Sequence, residues 1–156
     1  MPGYITKEGM NRLQKRMQRL IEMRKEVIKN VVTARDMGDL SENAEYKAAR
    51  EEQRNIENEY NHLKNRLTEL QVLDVSKIPK DAVRFGAKVT LLNLDNEEIS
   101  KIQLVGIDEV FETEDEYERR SIASPVGKQL IGKKINSSVT VRAPIGLKKY
   151  KILEIK

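Results

Sequence analysis

Asp36-Met37-Gly38-Asp39-Leu40-Ser41-Glu42-Asn43-Ala44-Glu45-Tyr46 interrupts a chain that otherwise keeps one helical pattern from residue 10 to residue 70. Before it, apolar residues recur at Met10, Leu13, Met17 and Leu20, then beyond Arg24 at Val27, Val31 and Ala34. After it, the series is Tyr46, Ala49, Gln53, Ile56, Tyr60, Leu63, Leu67 and Leu70. Steps alternating between three and four are the seam of a coiled coil. Thr6 is placed to cap the first helix, and Glu8 suits the positive end of its dipole. Gly38 falls where the first series stops, and a short connection between two long helices makes them antiparallel neighbours. The reading is a helical hairpin with its bend at residues 36–46, a rod about 45 Å long at about 1.5 Å per residue.

Composition agrees with such a shape. The 156 residues suffice for one ordinary domain or two small ones. With 38% hydrophobic and 35% charged residues, the chain suits an exposed coiled coil better than a sphere with a large core. Cysteine is absent, which excludes a disulfide framework and a thiolate metal site. No apolar run approaches the roughly 20 residues that span a bilayer, and the first residues carry no apolar signal core. The expectation is a soluble, cytoplasmic protein without membrane contact, monomeric when free.

Net charge is only +4, but it is laid down in blocks. Residues 7–35 hold nine basic side chains against three acids, residues 36–59 three against eight, and residues 128–156 eight against one. Residues 108–118 hold seven acids. Blocks of this kind favour oriented docking on a charged partner over uniform coating of nucleic acid. The acidic run and the following Arg119-Arg120 read either as a docking patch or as a solvated loop, and the loop is favoured. His62 stands beside the seam without a His or Cys partner and reads as a structural or surface residue, not a ligand.

Near Pro79 the pattern changes from period 3.6 to period 2. Residues 74–80 form a linker, because proline and its predecessor disfavour helix. Residues 88–94, 101–105, 138–142 and 149–153 are strand-like, with turns at Asp95-Asn96 and Pro144-Ile145-Gly146. Ser124 and Pro125 open a short helix over residues 125–131. The fold class is therefore α+β: a long antiparallel coiled-coil hairpin over residues 1–76 and a small domain with an antiparallel sheet over residues 77–156.

Two explanations compete for the acids at the bend. Asp39 with Glu42 three residues on fits a capping box at the start of the second helix, and Ser41 is a rival cap. The same spacing places two carboxylates on one side of the chain, where they can share one hard divalent cation with open positions for water and phosphate. Alone they make a poor magnesium site, since that ion wants six oxygens. They work only where a second active site supplies the other ligands, and a tip on a long rod suits delivery into a channel.

The tip from Gly38 to Tyr46, continued by Ala48-Ala49-Arg50-Glu51, resembles the bacterial transcript cleavage factors of the Gre family. The stretch from Phe85 to Leu94, Ser124-Pro125-Val126-Gly127 and Leu130-Ile131-Gly132-Lys133 extend the resemblance over nearly the whole chain. The resemblance implies an FKBP-like fold for the second domain, docked at the rim of the secondary channel of bacterial RNA polymerase. It implies that the coiled coil enters this channel when polymerase has backtracked, and that Asp39 and Glu42 help hold a Mg2+ ion there jointly with polymerase. The attacked group is the extruded 3′ end of the nascent RNA, hydrolysed in polymerase's own active centre. The factor is then an accessory and not itself an enzyme.

By the same resemblance Tyr46 positions RNA, Asn43 and Glu45 belong to the tip motif, and Arg35 and Arg50 flank it near the RNA. Ser124, Pro125 and Gly127 correspond to the part that faces polymerase. Three alternatives remain: a secondary-channel regulator that does not promote cleavage, a peptidyl-prolyl isomerase and a coiled-coil scaffold. The unaltered acidic tip counts against the first and the scarcity of aromatics against the second.

Overall fold

The computed structural model describes residues 3–38, 43–110 and 115–156. Strand β1 (Gly3–Thr6) leads directly into helix α1 (Lys7–Asp36), followed by helix α2 (Ala44–Glu69) and strand β2 (Leu70–Leu73). Strands β3 (Lys88–Asn93), β4 (Ile99–Val105) and β5 (Glu118–Ser121), helix α3 (Pro125–Leu130), and strands β6 (Ser138–Ala143) and β7 (Gly146–Ile155) complete the chain. These elements fall into two compact units, one of residues 10–70 and one joining residues 3–9 to residues 71–156.

In the first unit the expected seam is the core. Leu20, Val27, Ile56 and Leu63 are buried together, with Leu13, Met17, Tyr60 and Leu67 packed on them. Arg16 binds Glu59 and Arg24 binds Glu57 across the pair, so residue numbers fall on one arm as they rise on the other. That is the antiparallel arrangement. Arg24 does not leave a gap in the seam, because its guanidinium lies over the Tyr60 ring at 4.6 Å from the centroid. Burial of each large apolar side chain is worth about 1.5–3 kcal/mol, whereas exposed ion pairs add at most about 1 kcal/mol. The hairpin is held by its stripe of apolar residues. Of the two readings of His62, structural or surface, the second holds, because the residue is exposed.

Leu70 departs from its expected place. It leaves the helix as an extended C-cap (φ −85°, ψ 138°) and begins β2, which pairs with β1 in a two-stranded sheet. The linker is likewise structured, since Asp74 accepts the Ser76 N–H at 3.1 Å and caps a single 3-10 turn.

The second unit is built on a five-stranded sheet in the order β5-β4-β3-β7-β6. The pairs β3–β4, β3–β7 and β6–β7 are antiparallel, as the period-2 segments and their turns require. The pair β4–β5 is parallel, because the chain returns through a crossover before entering β5. Val83, Val89, Leu104, Leu130 and Ile152 are completely buried in the core between sheet and α3. At Gly127 a Cβ would stand 2.3 Å from the Ser121 carbonyl oxygen, so glycine is what lets α3 lie this close to the end of β5.

The acidic run is divided where it is described: Glu109 is built into the fold, whereas Asp115, Glu116 and Glu118 are exposed as the solvated-loop reading expects. Glu109 is 2% exposed and accepts both the Thr6 N–H at 2.7 Å and the Thr6 hydroxyl at 2.6 Å. Thr6 Oγ1 in turn accepts the Gly9 N–H at 3.0 Å, the expected cap of α1. A Cβ on Gly9 would lie 2.3 Å from the Glu109 carboxyl carbon. Asp115 receives two bonds from the buried Arg119, and Tyr117 lies beneath the ammonium groups of Lys88 and Lys101.

Candidate functional site at the hairpin bend

The end of α1 and the start of α2 bracket the acidic segment. Arg35 stands in the last turn of α1 and Glu45 in the first turn of α2, each with the sign that its helix end favours. After α1 the Met37 N–H reaches the Ala34 carbonyl at 3.3 Å, and Gly38 adopts φ +141°, a conformation that side-chain-bearing residues rarely take. Asp39, Leu40, Ser41 and Glu42 lie outside the described residues. The two acids named as carrying the chemistry are among them.

The cap of α2 is a correction. The helix begins at Ala44, and its N-cap is Asn43, whose side-chain oxygen accepts the Tyr46 N–H at 3.0 Å. The expected capping box at Asp39 and Glu42, and the rival cap at Ser41, are displaced by a residue that the sequence reading had assigned to the tip motif alone. Asn43 also donates from Nδ2 to the Ala34 carbonyl at 2.6 Å, bonding one arm of the hairpin to the other. Tyr46 is half-buried beside this cap, and Glu45 is exposed. Arg35 and Arg50 are exposed too, with Arg50 donating to Gln53 on its own helix at 2.8 Å. The structure thus brings Asn43 and Tyr46 together and leaves Arg35, Glu45 and Arg50 on the surface around the bend.

The second-unit residues divide. Ser124 caps α3, accepting the Gly127 N–H at 3.1 Å and donating to the Ser121 carbonyl at 2.6 Å. Pro125 occupies the first turn, as expected. Both line a groove of about 300 Å³ whose wall also includes Glu118, Arg120, Lys148 and Tyr150. Gly127 is buried behind it and serves packing. Among the described residues Tyr150 is the one aromatic side chain lining the groove, too few for an aromatic-lined proline pocket.

Among the described residues no group of three or more His, Cys, Asp or Glu side chains could hold a metal ion. Among them, too, no helix is long and apolar enough to cross a membrane. Among the described residues, perturbed ionisation lies away from the bend. Burial pushes the Asp115 carboxyl up, but the Arg119 bonds, the Tyr117 N–H and the Lys88 charge outweigh it and hold that group below the usual range.

Two family descriptions together account for almost the entire chain. Residues 3–72 match "Transcription elongation factor, N-terminal" and residues 78–156 match "Transcription elongation factor, GreA/GreB, C-term". Transcription elongation factor GreA of Rhodospirillum rubrum is 43% identical over 153 residues, covering 97% of this chain and 96% of the relative. The GreA of Thermodesulfovibrio yellowstonii is 44% identical over 152 residues, with coverages of 97% and 94%. Among solved structures, GreA factor homolog 1 of Thermus thermophilus aligns over the whole chain and 99% of its own, at 24% identity and a TM-score of 0.47.

Proposed function

The chain belongs to the GreA/GreB family of transcription elongation factors, and from that premise we propose that it stimulates cleavage of backtracked nascent RNA by bacterial RNA polymerase. In this reading the hairpin enters the secondary channel and the bend reaches the active centre, while the second unit docks outside through the groove at Ser124 and Pro125. The factor is an accessory that contributes side chains to a catalytic centre belonging to polymerase.

The observation that carries the reading is the cap at Asn43. A capping box would explain Asp39 and Glu42 without any chemistry, but the N-cap of α2 is Asn43. Neither acid is the N-cap of α2, and in the sequence both stand at the bend between a 30-residue and a 26-residue helix.

The donor set fits magnesium only in part, as expected for a shared site: two carboxylate side chains suit a hard cation but fall short of six oxygens. Bound between polymerase and factor, such an ion polarises a phosphate and lowers the pKa of its water. Asp39 and Glu42 would supply oxygen ligands and hold the attacking water by hydrogen bonds. Tyr46 would offer a ring beside the RNA 3′ end, and Arg35 and Arg50 would attract its phosphates. Most of the gain would be positional, because the channel would fix the hairpin whose bend carries the two acids in sequence.

Asp39→Asn and Glu42→Gln test this directly. Each is expected to lower stimulated cleavage by at least about 100-fold while affinity for polymerase changes little. Cleavage at the wild-type rate with either variant would remove that residue from the chemistry.

A further inference from the structure

We propose that Asn43 is a positioning residue for this cleavage: its carboxamide bonds the two arms of the hairpin together across the segment that carries Asp39 and Glu42. The inference rests on the function proposed above, but its observations are independent of it.

A helix start leaves N–H groups unpaired and a helix end leaves carbonyls unpaired. Asn43 serves both ends at the same time, pairing an N–H at the start of α2 and adding a second donor to the Ala34 carbonyl, which also takes the Met37 N–H. Its Oδ1 accepts from Tyr46 N at 3.0 Å, and its Nδ2 donates to Ala34 O at 2.6 Å. Ala34 is buried at 5% exposure in the last turns of α1, so the acceptor belongs to the seam itself and not to a free loop. The bond closes the chain between residues nine apart, and the two acids lie inside that interval.

Capping alone does not call for asparagine. Serine and aspartate cap about as well, since the cap needs only an acceptor oxygen. The second bond needs a donor on the same side chain, which a carboxylate lacks and a serine hydroxyl is too short to bring to Ala34. The carboxamide is therefore matched to the cross-hairpin bond, and that bond fixes both ends of the acidic segment relative to each other. Ion-assisted hydrolysis depends on ligand oxygens being held within roughly 0.5 Å, so fixing those ends acts on rate without any contact to RNA.

The test uses the full-length protein, wild type and N43S, N43D, N43A and D39N, on a backtracked elongation complex with labelled RNA. Magnesium is titrated at saturating factor, polymerase affinity is measured by competition, and helicity and melting are followed by circular dichroism. N43S and N43D keep the cap and lose the cross-hairpin donor. They are expected to retain helicity and polymerase affinity, to cleave about tenfold more slowly at low magnesium, and to need more magnesium for half-maximal rate. N43A is expected to add a lower melting temperature.

Wild-type rate and magnesium dependence in N43S and N43D would overturn the proposal and leave Asn43 a helix cap. A rate loss that tracks lost helicity in both variants, with unchanged magnesium dependence, would do the same. Failure of the wild type to stimulate any cleavage, like D39N, would instead refute the function on which the proposal rests.

Discussion

Glu109 and Gly9 show how much a single pair can decide. A buried carboxylate must be bonded, and here both oxygens are, to the amide and hydroxyl of Thr6. Glu109→Gln turns one acceptor into a donor facing a donor, and we expect a loss of about 1–3 kcal/mol in urea unfolding. Gly9→Ala is expected to cost a similar amount, because a new Cβ would occupy the place of the Glu109 carboxyl group. Asp115 gives a pH prediction whose sign is fixed by its pairing with Arg119. Its carboxyl sits lower in the folded protein than in the unfolded chain, so the stability it adds is complete above the unfolded pKa. That contribution is lost as pH falls through the folded value, and Asp115→Asn should flatten the acid limb of an unfolding titration below about pH 4.

At the scale of elements, what the sequence made legible was whatever depends on near neighbours. The seam from Leu13 to Leu67 could be read from its spacing, and it is the core of the hairpin. Thr6 and Ser124 could be read as caps because a hydroxyl three residues before a free N–H is local chemistry. Asn43 was missed because Asp39, Ser41 and Asn43 all offer a good capping oxygen within five residues, and what distinguishes Asn43 is a bond to Ala34 across the hairpin. Strands β1 and β2 were missed because they pair with each other across the whole length of the hairpin. Leu70 keeps the helical spacing although it already belongs to a strand, and β5 is hidden behind an acidic run. Thr6 and Glu109 are 103 residues apart, and no periodicity announces such a bond. The prediction proper to this scale is that Leu20→Ala costs the hairpin about 2–5 kcal/mol, while Arg24→Ala, an edge residue, costs no more than about 1 kcal/mol beyond its packing on Tyr60. Denaturation followed by helical circular dichroism measures both.

For the whole molecule, the division of labour lies in two units of unlike construction, and the chain does not divide between them at one point. Residues 3–9 belong with residues 71–156, so the N-terminal strand is a structural part of the globular unit. Deleting residues 1–6 is therefore expected to lower the stability of that unit by at least about 2 kcal/mol, through loss of the fully buried Ile5 and of the Thr6 bonds. Hydrogen exchange should show the loss in β4 and around Glu109, with the seam of the hairpin still protected.

The function proposed for this molecule needs the hairpin and the globular unit together with polymerase. The most direct measurement is cleavage of 3′-labelled RNA in a backtracked bacterial elongation complex with magnesium, with and without the protein, beside the protein and labelled RNA alone. The account predicts rapid release of a short 3′ fragment only when polymerase and protein are both present. Cleavage of free RNA, or polymerase binding with no acceleration of cleavage, would contradict it.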